Sequence, residues 1–221
     1  MTVVQIGGCA YRSSVHVAHA QSIAGFAQIL TAHASIKLGG ICYQHSSNLP
    51  QGRSLWLRAR IAEREPLVHY AVSVDSDTAF GPVELCHSFA HMVGRSAIGI
   101  APVIRKTSSG PQLNIYSSQG EPIAPASCGG GHPELWAGGF GLVVFNLRWF
   151  RENWPEPFPE PFGKPVEYIN QGEDVQMCRS VISRGGRVIP LWIPTTHYDT
   201  SGFDVIGGCS IGYESGRMVA G

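Results

Sequence analysis

Charge is scarce in this 221-residue chain, and what there is cancels: sixteen Lys and Arg face sixteen Asp and Glu. No global field of one sign therefore marks nucleic acid, membrane surface or an acidic partner as the target, although a local basic patch is compatible with the balance. Long apolar runs are missing too. Nothing approaches the length needed to cross a bilayer, and the start, MTVVQIGGCAYRSS, lacks the charged and then apolar pattern of an export signal. The expectation is a soluble, cytoplasmic protein. CxxC spacing is absent among the six cysteines at 9, 42, 86, 128, 178 and 209. Scattered thiols within apolar runs favour reduced cysteines over a disulfide framework or a zinc site.

What is present alternates. TVVQIGG has the β-branched character of a first buried strand, with two glycines marking a loop after it. SSVHVAHAQSIAGFAQILTAH then places Val15, Ala18, Ile23, Phe26, Ile29 and Leu30 on one helical face. IKLGGICY predicts a second strand, QHSSNLPQG a polar loop, and RSLWLRARIAERE a helix whose apolar face carries Leu55, Trp56, Ala59 and Ala62, with its arginines mostly away from that face. LVHYAVSV predicts a central strand. Strands interleaved with helices imply an α/β fold whose mixed or parallel sheet is covered on both faces. A chain of this length suits one domain, residues 1–221.

The second half is less regular. AIGIAPVIR and LNIY predict strands around a turn at SSGPQ, and the glycine-rich loop ASCGGGHPELWAGGFG leads into a strand at LVVFN. WPEPFPEPFGKP is too rich in proline for helix or central strand, so it reads as an extended surface loop, either a stiff connector or an acceptor contact. GEDVQMCRSVISRGG is a marked helix: Val175, Cys178, Val181 and Ile182 form the inward face, Glu173 and Asp174 suit its N-terminal end, and Gly185-Gly186 stops it. RVIPLWIP predicts a strand broken by prolines, TTHYDTSG a loop, and the last residues a partly ordered tail.

The most informative stretch is VSVDSDTAF, an apolar strand ending in Asp75 and Asp77. Residues two apart on a strand face one side, and ligands of α/β sheets collect beyond the carboxyl ends of strands. An acidic pair there suits a hard divalent cation that takes its remaining oxygens from water and substrate phosphates. DSDT is equally a turn former. Taken with the downstream WAGGFG loop, the GED helix start and His197, and with SSNLPQGRS preceding a helix upstream, the order of motifs resembles that of the GT-A glycosyltransferases from about residue 3 to residue 200. SSNLPQGRS is similar to that family's small-small-x-Ile-Pro-x-x-Arg-Asn stretch, with Ser54 where many members have asparagine.

The resemblance implies a GT-A (Rossmann-like) three-layer α/β/α domain with a central mixed, mostly parallel sheet. Residues up to about 95 would bind the nucleotide sugar, and the rest would form the acceptor and catalytic half. It implies a metal-dependent enzyme that moves a sugar from a nucleotide diphosphate sugar to a hydroxyl. Asp77 and His197 would bind Mn²⁺ (or Mg²⁺), and Asp75 would touch ribose or complete the metal shell. Gly8, Cys9 and Arg53 would lie by the nucleotide. Asp174 would be the general base, and Trp136, Gly138, Gly139 and Glu173 would meet donor sugar or acceptor. The acceptor stays open among glycan, lipid-linked glycan, protein side chain and hydroxymethylated base in phage DNA, with neutral charge weighing against a DNA polymer. The other classes weighed are a sugar-phosphate nucleotidyltransferase, whose basic phosphate loop is not matched by GGCAYRSS, and a non-catalytic glycan-binding protein.

Overall fold

In a computed structural model the described residues are 1–10, 15–45, 49–63, 67–107, 110–123, 133–154, 172–198, 209–214 and 217–220. The PEPF repeat, the CGGG stretch and the first residues of SSNLPQGRS lie outside them.

Six strands form the central sheet. They are β1 (Thr2–Ala10), β2 (Ile36–His45), β3 (Tyr70–Val74), β5 (Ser96–Ala101), β10 (Leu142–Asn146) and β11 (Arg187–Pro190), in the spatial order β11-β5-β10-β3-β1-β2. β10 runs antiparallel to both neighbours, and the other pairings are parallel. The expected mixed, mostly parallel sheet is present, and strands from both halves of the chain share it.

Helices cover both faces because each face is apolar. On one side α1 (Val17–Ala32) and α3 (Pro82–Ser88) bring Ile23, Phe26, Leu30 and Leu85 against Val4, Ile6, Val72, Val74 and Val144. On the other α2 (Leu49–Ala62), α4 (Leu147–Asn153) and α5 (Glu173–Ser183) bring Trp56, Leu57, Phe150, Met177 and Val181 against Ala71, Ile98, Ile100, Val143 and Phe145. No helix among the described residues is long and apolar enough to cross a membrane.

A second sheet is antiparallel throughout. It orders β14 (Arg217–Ala220), β13 (Cys209–Glu214), β12 (Thr195–His197) and β4 (Thr78–Phe80) as β14-β13-β12-β4. Hairpins β6 (Ile104–Thr107) with β7 (Gly110–Leu113), and β8 (Ile115–Ser117) with β9 (Leu135–Gly138), complete the set.

Several sequence expectations are corrected. Gly7 and Gly8 do not end the first strand, which continues to Ala10. A Cβ on Gly7 would sit 1.7 Å from Cys42 O, and one on Gly8 2.6 Å from Val74 O, so both glycines serve close approach between strands. The buried face of α2 is Trp56, Leu57 and Ile61 with Ser54, whereas Leu55 is exposed, and Arg53 points inward. In α1 the buried set includes His19 and Ser22, while Val15 lies ahead of the helix and is exposed. In α5 Met177 takes the inward position assigned to Ile182. LWAG is strand rather than loop, TTH is strand β12, and the C-terminal residues form the β13-β14 hairpin. The helix at LRWFREN was not foreseen; Asn146 caps it, accepting from Trp149 N through its side chain.

Candidate functional site

β3 stops at Val74, and the chain turns at once. Thr78 N donates to Asp75 O at 2.9 Å, while Asp75 N donates to Gly141 O at 2.9 Å. Outside elements hold the rest of the turn: His16 N donates to Ser76 O, and Tyr198 N donates to Asp77 O, both at 2.8 Å. Reversal at Ser76-Asp77 sends the two carboxylates to different partners.

Asp75 meets Arg53, whose Nη2 lies 2.6 Å from Oδ1 and 2.7 Å from Oδ2. The same guanidinium reaches Glu173 Oε1 through Nη1 at 2.5 Å and Phe140 O through Nη2 at 3.3 Å. These side chains are 12 % (Arg53), 20 % (Asp75) and 19 % (Glu173) exposed, so the ion pairs are shielded rather than solvated. One arginine thus ties α2, the end of β3 and the start of α5. Burial raises the Asp75 carboxyl above its ordinary value, and the adjacent guanidinium opposes that rise. Burial works to lower Arg53, but the Asp75 and Glu173 carboxylates outweigh it and hold the guanidinium above its ordinary value. Behind Arg53, Trp56, Leu57, Phe140, Phe145 and Met177 wall an apolar cavity of about 10 Å³.

Asp77 meets β12. Antiparallel pairing of β12 with β4 sets His197 opposite Thr78 and brings His197 Nε2 to 3.4 Å from Asp77 Oδ1. That oxygen is buried and has no hydrogen-bond partner among the described residues. The His197 side chain is 45 % exposed, so it reaches the turn from the open side. Tyr198 stacks on His16, with ring centroids 4.0 Å apart. Among the described residues no group of three or more His, Cys, Asp or Glu side chains is arranged to hold a metal ion.

The remaining predicted residues fall in three places. Gly8 (φ +150°) and buried Cys9 lie within the last residues of β1, beside this turn; burial raises the Cys9 thiol, which also feels the charges of Arg53 and Asp75. Asp174 sits in the first turn of α5, where its Oδ1 accepts from Val175 N at 2.8 Å and its charge acts on Arg53. Trp136 and Gly138 lie on β9, which packs against α5, and Gly139 follows it. Trp136 packs edge-on to Tyr116 with the Arg179 guanidinium over its ring at 5.7 Å. A Cβ on Gly138 would lie 2.9 Å from Ile100 Cδ1 and from Ile115 Cγ2, and Gly139 N donates to Asn114 O at 2.8 Å. Core packing therefore accounts for Gly138.

Sequence reasoning missed His16, His19, Tyr43 and Tyr198, which surround the turn. The i, i+3 spacing of His16 and His19 at a helix start was the available signal.

No family model and no curated protein matches the sequence. Among solved structures, A197 from STIV is similar at a TM-score of 0.54 and 12 % identity, over 90 % of this chain and 86 % of that one. A glycosyltransferase involved in glycosylation of the major capsid of PBCV-1 aligns at 0.45 and 12 % identity, over 86 % and 81 %. The 4-diphosphocytidyl-2C-methyl-D-erythritol synthase of Anaerococcus prevotii aligns at 0.45 and 10 %, over 87 % and 89 %. Of these three the first exceeds 0.5, and at its identity it speaks to the fold alone.

Proposed function

We propose that the chain is a metal-dependent glycosyltransferase that moves a sugar from a nucleotide diphosphate sugar to a hydroxyl acceptor. The observation that carries this reading is the placement of His197 against Asp77, whose buried Oδ1 lacks a hydrogen-bond partner among the described residues. A buried carboxylate oxygen left unsatisfied is costly unless a cation or donor completes it. One carboxylate oxygen and one imidazole nitrogen suit Mn²⁺ somewhat better than Mg²⁺, and two protein ligands leave the remaining positions to diphosphate and water. Such an ion would supply neutralisation of the charge that develops on the departing nucleoside diphosphate.

The chain's own residues do the rest. Asp75 is committed to Arg53 through both oxygens, so it is a framework carboxylate and Asp77 is the ligand. Arg53 also carries positive charge to the carboxyl end of β3, where it offsets both Asp75 and Glu173. Asp174, at the start of α5, orients the acceptor hydroxyl and takes its proton, with positioning supplying most of the effect. Gly8 and Cys9, at the end of β1, border the nucleotide.

The test is incubation with a panel of nucleotide sugars and acceptors, including hydroxymethylated DNA, with Mn²⁺ and with or without EDTA. Metal-dependent release of nucleoside diphosphate is expected. Asp77→Asn should abolish metal-dependent donor binding, whereas Asp174→Asn should spare binding and remove transfer. Absence of turnover and binding for every donor refutes the enzyme reading, and pyrophosphate release from a nucleoside triphosphate with a sugar phosphate reassigns it to nucleotidyl transfer.

A further inference from the structure

β4 is paired to β12 on one edge, and α1 takes the place of a strand on the other. His19 Nδ1 lies 2.9 Å from Thr78 O, and three residues along the helix Ser22 Oγ accepts from Phe80 N at 3.0 Å. Residues 78 and 80 point backbone groups to one side of the strand, and the i, i+3 pair on α1 matches them. His19 is 1 % exposed and Thr78 fully buried, so Thr78 O has the imidazole as its partner in place of water.

The second ring nitrogen is used as well. His19 Nε2 lies 2.5 Å from Tyr43 Oη, and the Tyr43 ring stands edge-on at 5.7 Å. A carbonyl oxygen can only accept, so Nδ1 carries the hydrogen and Nε2 accepts from the phenol; the network assigns the tautomer. Tyr43 itself is 37 % exposed, near the carboxyl end of edge strand β2. A chain of two hydrogen bonds therefore runs from a half-open tyrosine to the carbonyl of Thr78, the residue after Asp77.

We infer that His19 and Tyr43 are positioning residues for Asp77, fixing its turn from the α1 side while Tyr198 N and His197 fix it from β12. This rests on the reading of Asp77 as the metal carboxylate. Partners bonded directly to a ligand change metal affinity by about 10- to 100-fold when removed; His19 and Tyr43 act through the Thr78 carbonyl next to the ligand, so the low end of that range is expected. Tyr43→Phe deletes one hydroxyl and leaves the imidazole without its donor. His19→Leu leaves Thr78 O unsatisfied, whereas His19→Asn places an amide N–H near the position of Nδ1 and keeps that bond.

The experiment is a Mn²⁺ titration of the full chain, followed by loss of the free-ion electron paramagnetic resonance signal, alongside the thermal unfolding midpoint of each variant. Wild type is expected to bind Mn²⁺ and Asp77→Asn to lose it. Tyr43→Phe should weaken binding about 10-fold with little change in midpoint, His19→Leu should weaken it further, and His19→Asn should recover most of what His19→Leu loses. Wild-type affinity in Tyr43→Phe and His19→Leu, with loss in Asp77→Asn, overturns the inference and leaves the metal reading standing. A lowered midpoint with unchanged affinity does the same, since it marks a purely structural contact. Equal Mn²⁺ binding by wild type and Asp77→Asn, or none by either, overturns the metal reading and this inference with it.

Discussion

Replacing Arg53 by methionine tests the electrostatic frame most directly, because the change keeps an unbranched side chain in the apolar wall and deletes one charge. The guanidinium makes two bonds to Asp75, at 2.6 and 2.7 Å, and one to Glu173 at 2.5 Å, all largely out of water. Removing one partner of a buried ion pair costs about 3–5 kcal/mol, and here two carboxylates lose the same partner. A loss of about 4 kcal/mol near neutral pH is expected, and about 1–2 kcal/mol for Arg53→Lys, which keeps the charge but not the fork. The pH dependence has a definite sign. Burial already raises the folded Asp75 carboxyl above its ordinary 3.8, and Arg53 restrains that rise, so the methionine variant lifts it further. A raised group contributes its stability in full below the unfolded value and loses it as pH rises through the folded value. The deficit of Arg53→Met should therefore shrink from neutral to acidic pH, as Asp75 takes up a proton. Urea unfolding followed by tryptophan fluorescence at neutral and at acidic pH measures it. A difference from wild type under about 1 kcal/mol at both would refute the pairing as a source of stability.

Two further substitutions test the frame around the site. Arg151 donates to the carbonyls of Arg60, Ile61, Glu63 and Val68, at 3.2, 3.1, 3.0 and 2.7 Å, so it caps the end of α2 and ties it to the segment before β3. Arg151→Met should cost about 2–4 kcal/mol in urea unfolding and speed amide exchange at the end of α2. Gly8→Ala forces a Cβ to 2.6 Å from Val74 O at a φ of +150°, so a loss of about 1–3 kcal/mol is expected, measured as a lowered unfolding midpoint.

Periodicity made much of the fold legible. Alternating strand and helix patterns located β1, α1, β2, α2, β3, α5 and β11, because burial on both faces of a parallel sheet leaves continuous apolar runs. Errors came where tertiary partners override local rules. Taken alone, Arg53 reads as a solvated helix-start charge, and Asp75 and Glu173, 22 and 120 residues away, make its inward position tolerable. TTH reads as a loop after Pro194 because β12 has three residues, and its reason for being a strand is β4 and β13, distant in the sequence. His19 fell on the inward face for the same kind of reason: a polar ring is stable there because both its nitrogens are bonded.

The ligand-pair reading of DSDT rests on the assumption of an extended strand that turns both carboxylates to one side. The backbone removes that assumption. Because Thr78 N closes on Asp75 O, the strand ends before the second aspartate, and the reversal separates the side chains. Asp75 is left facing α2, where a guanidinium takes both its oxygens, and Asp77 is left facing β12, where His197 stands. The turn is thus what makes unlike roles available to two identical residues. It follows that exchanging them is not symmetric. Asp75→Asn should lower stability by loosening Arg53 from the end of β3, whereas Asp77→Asn, whose Oδ1 holds no hydrogen bond among the described residues, should leave stability close to wild type and reveal itself in ligand binding.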